Sequence, residues 1–133
     1  MKIFLASCLL LIASLAGRSE LIVAVSPVTI AGQKAIIGLR LQNNFTNAIE
    51  SARAVCFLQD DQGKMLGEST RWVIGEKRKI LKAGEASMFN FVITSREVFS
   101  NTNLTANISF TRIALDNSNL VNARDVKITN TNK

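Results

Sequence analysis

Short apolar runs broken by turn-forming residues recur along this chain at intervals of roughly 8 to 12 positions, the rhythm of an all-β domain. Residues 21–25 (LIVAV) open the pattern as a strand, and 28–30 resume it beyond Pro27, the only proline. Proline cannot donate to a ladder. This segment therefore belongs on a sheet edge, or at a kink where a strand passes between sheets. Residues 35–42 (AIIGLRLQ) form the next strand, with Ile37, Leu39 and Leu41 on one face. Residues 52–59 (ARAVCFLQ) are apolar on both faces, as a strand between two layers would be.

After the turn Asp60-Asp61-Gln62-Gly63, residues 64–67 lead away and 70–74 carry Trp72. Residues 86–94 alternate, with Phe89, Phe91 and Ile93 against Met88, Asn90 and Val92. A single helical turn is predicted over 95–101. Residues 104–116 alternate again, with Ile108 and Phe110 opposed to Thr111, Ile113 and Leu115. A turn at 117–119 then closes a hairpin onto 120–129. The prediction is an all-β fold: an immunoglobulin-like two-sheet antiparallel sandwich of about seven strands.

The first residues follow a different pattern. Lys2 precedes an apolar run over 3–15, and Ser14-Leu15-Ala16 places small residues where a signal peptidase reads them. A cleavable signal peptide over 1–16 is expected, with cut between Ala16 and Gly17 and the sandwich domain over 17–133. The run falls short of the roughly 20 residues that span a bilayer. Export to the periplasm or exterior follows, with no integral membrane span after cleavage; an uncleaved amphipathic or anchoring helix is the alternative. Leu5-Ala6-Ser7-Cys8 resembles a lipoprotein box but lies inside the apolar run, with too little leader before it.

Sixteen Lys and Arg against 10 Asp and Glu give the chain a net charge of +6, which cleavage lowers by the one charge of Lys2. The surplus favours anionic partners. With export assumed, an envelope protein or an anionic polysaccharide is expected, and no nucleic acid. Of two cysteines, Cys8 leaves with the leader. Cys56 has no partner for an internal disulfide, and is either a buried inert thiol or a reactive, dimer-forming one.

The order of features over 38–92 resembles the FxLYD-type family of bacterial immunoglobulin-like domains. Gly38, Leu41 and Asn43 match its strand with a small residue followed by Asn. Residues 58–64 (LQDDQGK) match its Leu-aromatic-Asp strand end and Gly-containing turn. Ala83-Gly84-Glu85 with Phe89 and Phe91 match its Pro-Gly-Glu turn and aromatic strand. Gln59, Cys56 and Ala83 depart from the pattern. The resemblance implies an extracytoplasmic interaction module, and brings no catalytic residues.

The chain contains no histidine and no tyrosine. Histidine-based triads, Cys-His dyads and imidazole metal ligands are thereby excluded, and one mature cysteine cannot build a thiolate zinc site. No glycine cluster cradles phosphate. No enzyme activity, cofactor or metal is expected; a carboxylate-dependent hydrolase is the remote alternative. Asp60-Asp61-Gln62-Gly63 lacks the alternating ligands of a calcium loop and reads as a tight turn.

The candidate ligand-binding residues are Arg71 and Trp72 with Lys77, Arg78, Lys79 and Lys82. Cations beside an aromatic ring can hold an anionic chain by charge and stacking. The alternative is a solvated hairpin loop whose lysines keep an edge strand from aggregating, with Trp72 in the core. Phe45, on a loop flanked by asparagines, is either a further contact residue or a cap over the end of the sandwich. A structural subunit assembling through strand edges is the competing function.

Overall fold

The computed structural model describes residues 20–100 and 103–130. The expected signal peptide over 1–16, its cleavage point and Cys8 lie outside the described residues.

Eight strands form two packed sheets: β1 (Leu21–Val25), β2 (Thr29–Ala31), β3 (Lys34–Asn43), β4 (Ile49–Gln59), β5 (Met65–Ile74), β6 (Ala86–Thr94), β7 (Thr105–Leu115) and β8 (Val126–Asn130). In the first sheet β3 pairs with β6 along one side. Along its other side it pairs with β1 and β2 in succession, and β8 pairs with β1. The second sheet has the order β5-β4-β7, so β4 is central as its two apolar faces predict. This is a β-sandwich.

Burial follows the pleat. Val23, Ile37, Leu39, Leu41, Phe89 and Phe91 point in from the first sheet, and Ala52, Ala54, Cys56, Leu58, Ile74 and Ile113 from the second. Phe89 and Phe91 meet edge-to-face, ring centres 5.1 Å apart. A fully buried side chain such as Phe91 contributes about 2 kcal/mol by removal from water.

Of the two places expected for the Pro27 segment the sheet edge holds: β1 and β2 both pair with β3, and β2 ends the strand order. Three other sequence expectations change. The segments 64–67 and 70–74 are one strand, β5. The predicted hairpin onto 120–129 closes only one bridge, Ala114 to Leu120. The chain then turns through a short 3-10 helix, Ala123–Asp125, and crosses to the first sheet, where β8 runs parallel to β1. No helical turn forms over 95–100: the Phe99 amide, which a helix would direct to the Ser95 carbonyl, donates to the Gly32 carbonyl instead, and the Ser95 amide donates to that of Gln33.

Strict alternation puts Phe110 and Ile113 on opposite faces. A bulge at Thr111 removes the conflict: Phe110 pairs with Ala54, Arg112 with Arg53 and Ile113 with Ala52. Phe110 and Ile113 thus turn the same way, toward the core. A matching register shift at Val73 in β5 pairs Arg71 with Ala54 and Trp72 with Arg53.

Candidate functional site

β5 and β6 are edge strands of different sheets, and they lie against each other along one side of the sandwich. Between them opens a groove of about 430 Å³. β5 supplies Thr70, Arg71 and Trp72, and the following loop supplies Gly75, Glu76, Lys77 and Arg78. β6 supplies Phe89, Asn90 and Val92.

The loop is held by its own backbone. Arg78 N–H donates to the Gly75 carbonyl at 2.8 Å, and Gly75 N–H to that of Lys79 at 3.4 Å. Gly75 has φ +77°, and a Cβ there would land on the carbonyl oxygen of Glu50. Only glycine lets the loop lie this close to β4. Arg78 then reaches across the groove, its guanidinium carbon 4.5 Å from the centre of the Phe89 ring. A cation over an aromatic face contributes about 0.5–1 kcal/mol at an exposed site. The loop is thereby tied to the opposite sheet.

Successive strand residues face opposite ways. Arg71 shares the face of buried Ala54, and at the sheet edge this turns its exposed side chain into the groove. Trp72 pairs with Arg53 on the outer face of the second sheet, where the Arg53 guanidinium lies 5.9 Å from the indole. Half-buried Trp72 lines both the groove and a second hollow of about 490 Å³ on that outer face, which Arg53, Arg112 and Leu120 also line.

No family model matches the chain, and no curated protein matches it. Among solved structures it is similar to a Bordetella pertussis protein given the provisional name ApaA. Identity is 12%, the TM-score 0.52, and the match covers 77% of this chain and 85% of that one. It is also similar to IrmA from Escherichia coli, at 10% identity and TM-score 0.51 over 84% of this chain and 92% of that one. The likeness is one of fold.

Of the candidate residues, Arg71, Trp72, Lys77 and Arg78 come together in the groove. Lys79 and Lys82 are exposed but do not line it. Lys82 lies beyond Leu81, which pairs back to Ile49, and its amide donates separately to the Glu85 carboxylate at 3.1 Å. Phe45 is buried, with 8% of its surface exposed. This corrects its place among the contact residues: it caps the core.

Asn43 shows why Phe45 turns inward. Its Oδ1 accepts from the Phe45 amide at 2.9 Å, and its Nδ2 donates to the carbonyls of Asn47 at 3.0 Å and Leu81 at 2.9 Å. Sequence reasoning missed Arg53 and Arg112, which lie far from the basic loop in the chain. Only strand register brings them beside Trp72.

Cys56 is buried in β4, and desolvation pushes its thiol from 9.0 up to about 11. A thiol held protonated is a poor nucleophile. Asp60 Oδ1 accepts from the amides of Gln62 at 2.9 Å and Lys64 at 2.8 Å, closing the turn. No group of three or more His, Cys, Asp or Glu placed to hold a metal occurs among the described residues.

Proposed function

We propose that this chain is an exported, non-catalytic interaction module that binds an anionic component of the bacterial envelope or exterior. One observation carries the reading. Arg71, Lys77 and Arg78 converge with Trp72 on a single groove between the two edge strands, with Glu76 the one acid lining it. Three cations against one carboxylate give the groove a net positive field, which attracts an anion and steers its approach. The apolar pattern of residues 3–15 and the FxLYD-like order of features support export. The absence of histidine from the chain and the scattered placement of its acids support a non-catalytic role.

The single tryptophan gives a direct probe. Trp72 fluorescence is followed while the chain is titrated with polygalacturonate, polyglutamate and oligothymidylate, at low salt and at about 0.5 M salt, where exposed charges are screened within a few ångströms. The expected result is a salt-sensitive response to at least one polymer. It disappears in the Arg71→Glu, Lys77→Glu, Arg78→Glu variant and survives in Lys79→Glu, Lys82→Glu. No response to any of the three, or one that the groove variant leaves unchanged, overturns the reading.

A further inference from the structure

Across the outer face of the second sheet, Trp72, Arg53 and Arg112 stand in one row on three neighbouring strands. Arg53 and Arg112 are direct partners in an antiparallel pair, where like charges destabilise each other. Both are exposed, and among the described residues no hydrogen bond or ion pair engages either guanidinium. The contact that one of them makes is that of Arg53 over the indole. Two unneutralised guanidiniums side by side, with a rigid aromatic ring and the exposed Leu120 beside them, match a planar anion carried on a partly apolar ring.

Trp72 lines both this hollow and the groove. The two basic clusters therefore meet at one residue and form a strip that wraps over the β5 edge. We infer that the strip binds a linear acidic polysaccharide: one sugar carboxylate sits between Arg53 and Arg112, a sugar ring lies against Trp72, and later carboxylates reach Arg71 and Lys77 in the groove. This rests on the reading of the groove as an anion site and extends it by a second subsite and a ligand class. A single anion cannot occupy both, since Arg112 and Trp72 are two strand spacings apart, about 10 Å. Single-stranded nucleic acid is held on several aromatic platforms, and the strip offers one indole. Thr70, Asn90 and Thr111 along the strip are neutral groups suited to sugar hydroxyls.

The test measures affinity for galacturonate oligomers of increasing length with the full chain and with Arg53→Gln, Arg112→Gln. Wild-type affinity should rise about tenfold or more once the oligomer spans both clusters, the gain expected when a second site is engaged by one ligand. The variant should lose that gain and keep its affinity for the shortest oligomers. Circular dichroism confirms that the variant is folded. Equal loss of affinity at all lengths, or none, overturns the second subsite while leaving the groove reading intact; the pair then serves only to keep the sheet face soluble. Binding confined to polyglutamate or oligothymidylate overturns the polysaccharide assignment. Binding to none of the polymers removes the groove reading itself.

Discussion

Ser26 and Gly38 hold each other by three hydrogen bonds where the proline kink leaves the sheet. Ser26 N–H donates to the Gly38 carbonyl at 2.9 Å, and Ser26 Oγ donates to the same carbonyl at 3.1 Å. Gly38 N–H in turn donates to Ser26 Oγ at 3.0 Å. Ser26 thus keeps the chain bonded to β3 in the gap between β1 and β2, where Pro27 has no N–H to donate. A Cβ on residue 38 would stand 2.7 Å from Ser26 Oγ and 3.2 Å from Asn90 Oδ1. Gly38→Ala is expected to cost about 1–3 kcal/mol by crowding, and Ser26→Ala about 1 kcal/mol. The double variant should be less destabilised than the sum, because removing Oγ relieves the closest contact. Urea denaturation of the four proteins checks this, and strict additivity would show the two residues to be energetically independent.

Gly75→Ala should be more damaging. Its positive φ disfavours any side chain, and the new Cβ meets the backbone of Glu50 and Ser51, which cannot move without disturbing β4. A loss of about 3 kcal/mol or more is expected. Thermal unfolding followed by circular dichroism measures it, and a change under 1 kcal/mol would mean that the loop relaxes freely.

Asn43 closes one end of the sandwich with all three of its side-chain hydrogen bonds directed at backbone. Asn43→Asp keeps the acceptor for the Phe45 amide but loses both donors and places a carboxylate among carbonyls. It should cost about 2–4 kcal/mol, more than Thr46→Ala on the exposed loop beside it, which should stay within about 0.5 kcal/mol. Chemical denaturation separates the two; equal effects would show the clamp to be dispensable.

Cys56 should react with a thiol probe at neutral pH only as fast as the domain opens. Its folded thiol titrates near 11 instead of 9.0, so between these values the unfolded chain ionises and the folded chain does not. This contribution to stability is complete below pH 9.0 and declines as pH rises toward 11, at about 1.4 kcal/mol per pH unit at most. Cys56→Ala should lack that slope, which separates it from lysine titration in the same range. A thiol that labels in seconds under native conditions would refute the buried assignment.

The hydrophobic pattern by itself determined the two-layer all-β architecture, the central place of β4, the inward set on β6 and the turns at 60–63 and 82–85. Each follows from local chemistry: the period and faces of burial, or a glycine within four polar or small residues that supplies the turn. Asn43 was legible as a position in a recurring pattern, but its clamp on Leu81 joins residues 38 apart and needed the fold. Only the tertiary structure decided the faces of Arg71, Trp72, Phe110 and Ile113. A bulge inserts one residue into the alternation, and nothing local at Thr111 or Val73 announces it. Likewise β8 joins the first sheet in parallel because a free edge beside β1 is there to receive it. The basic loop could be read from 77–79, whereas Arg53, Arg112 and Trp72 meet through strand register alone. Register is a property of pairing between distant segments, and no single segment carries it.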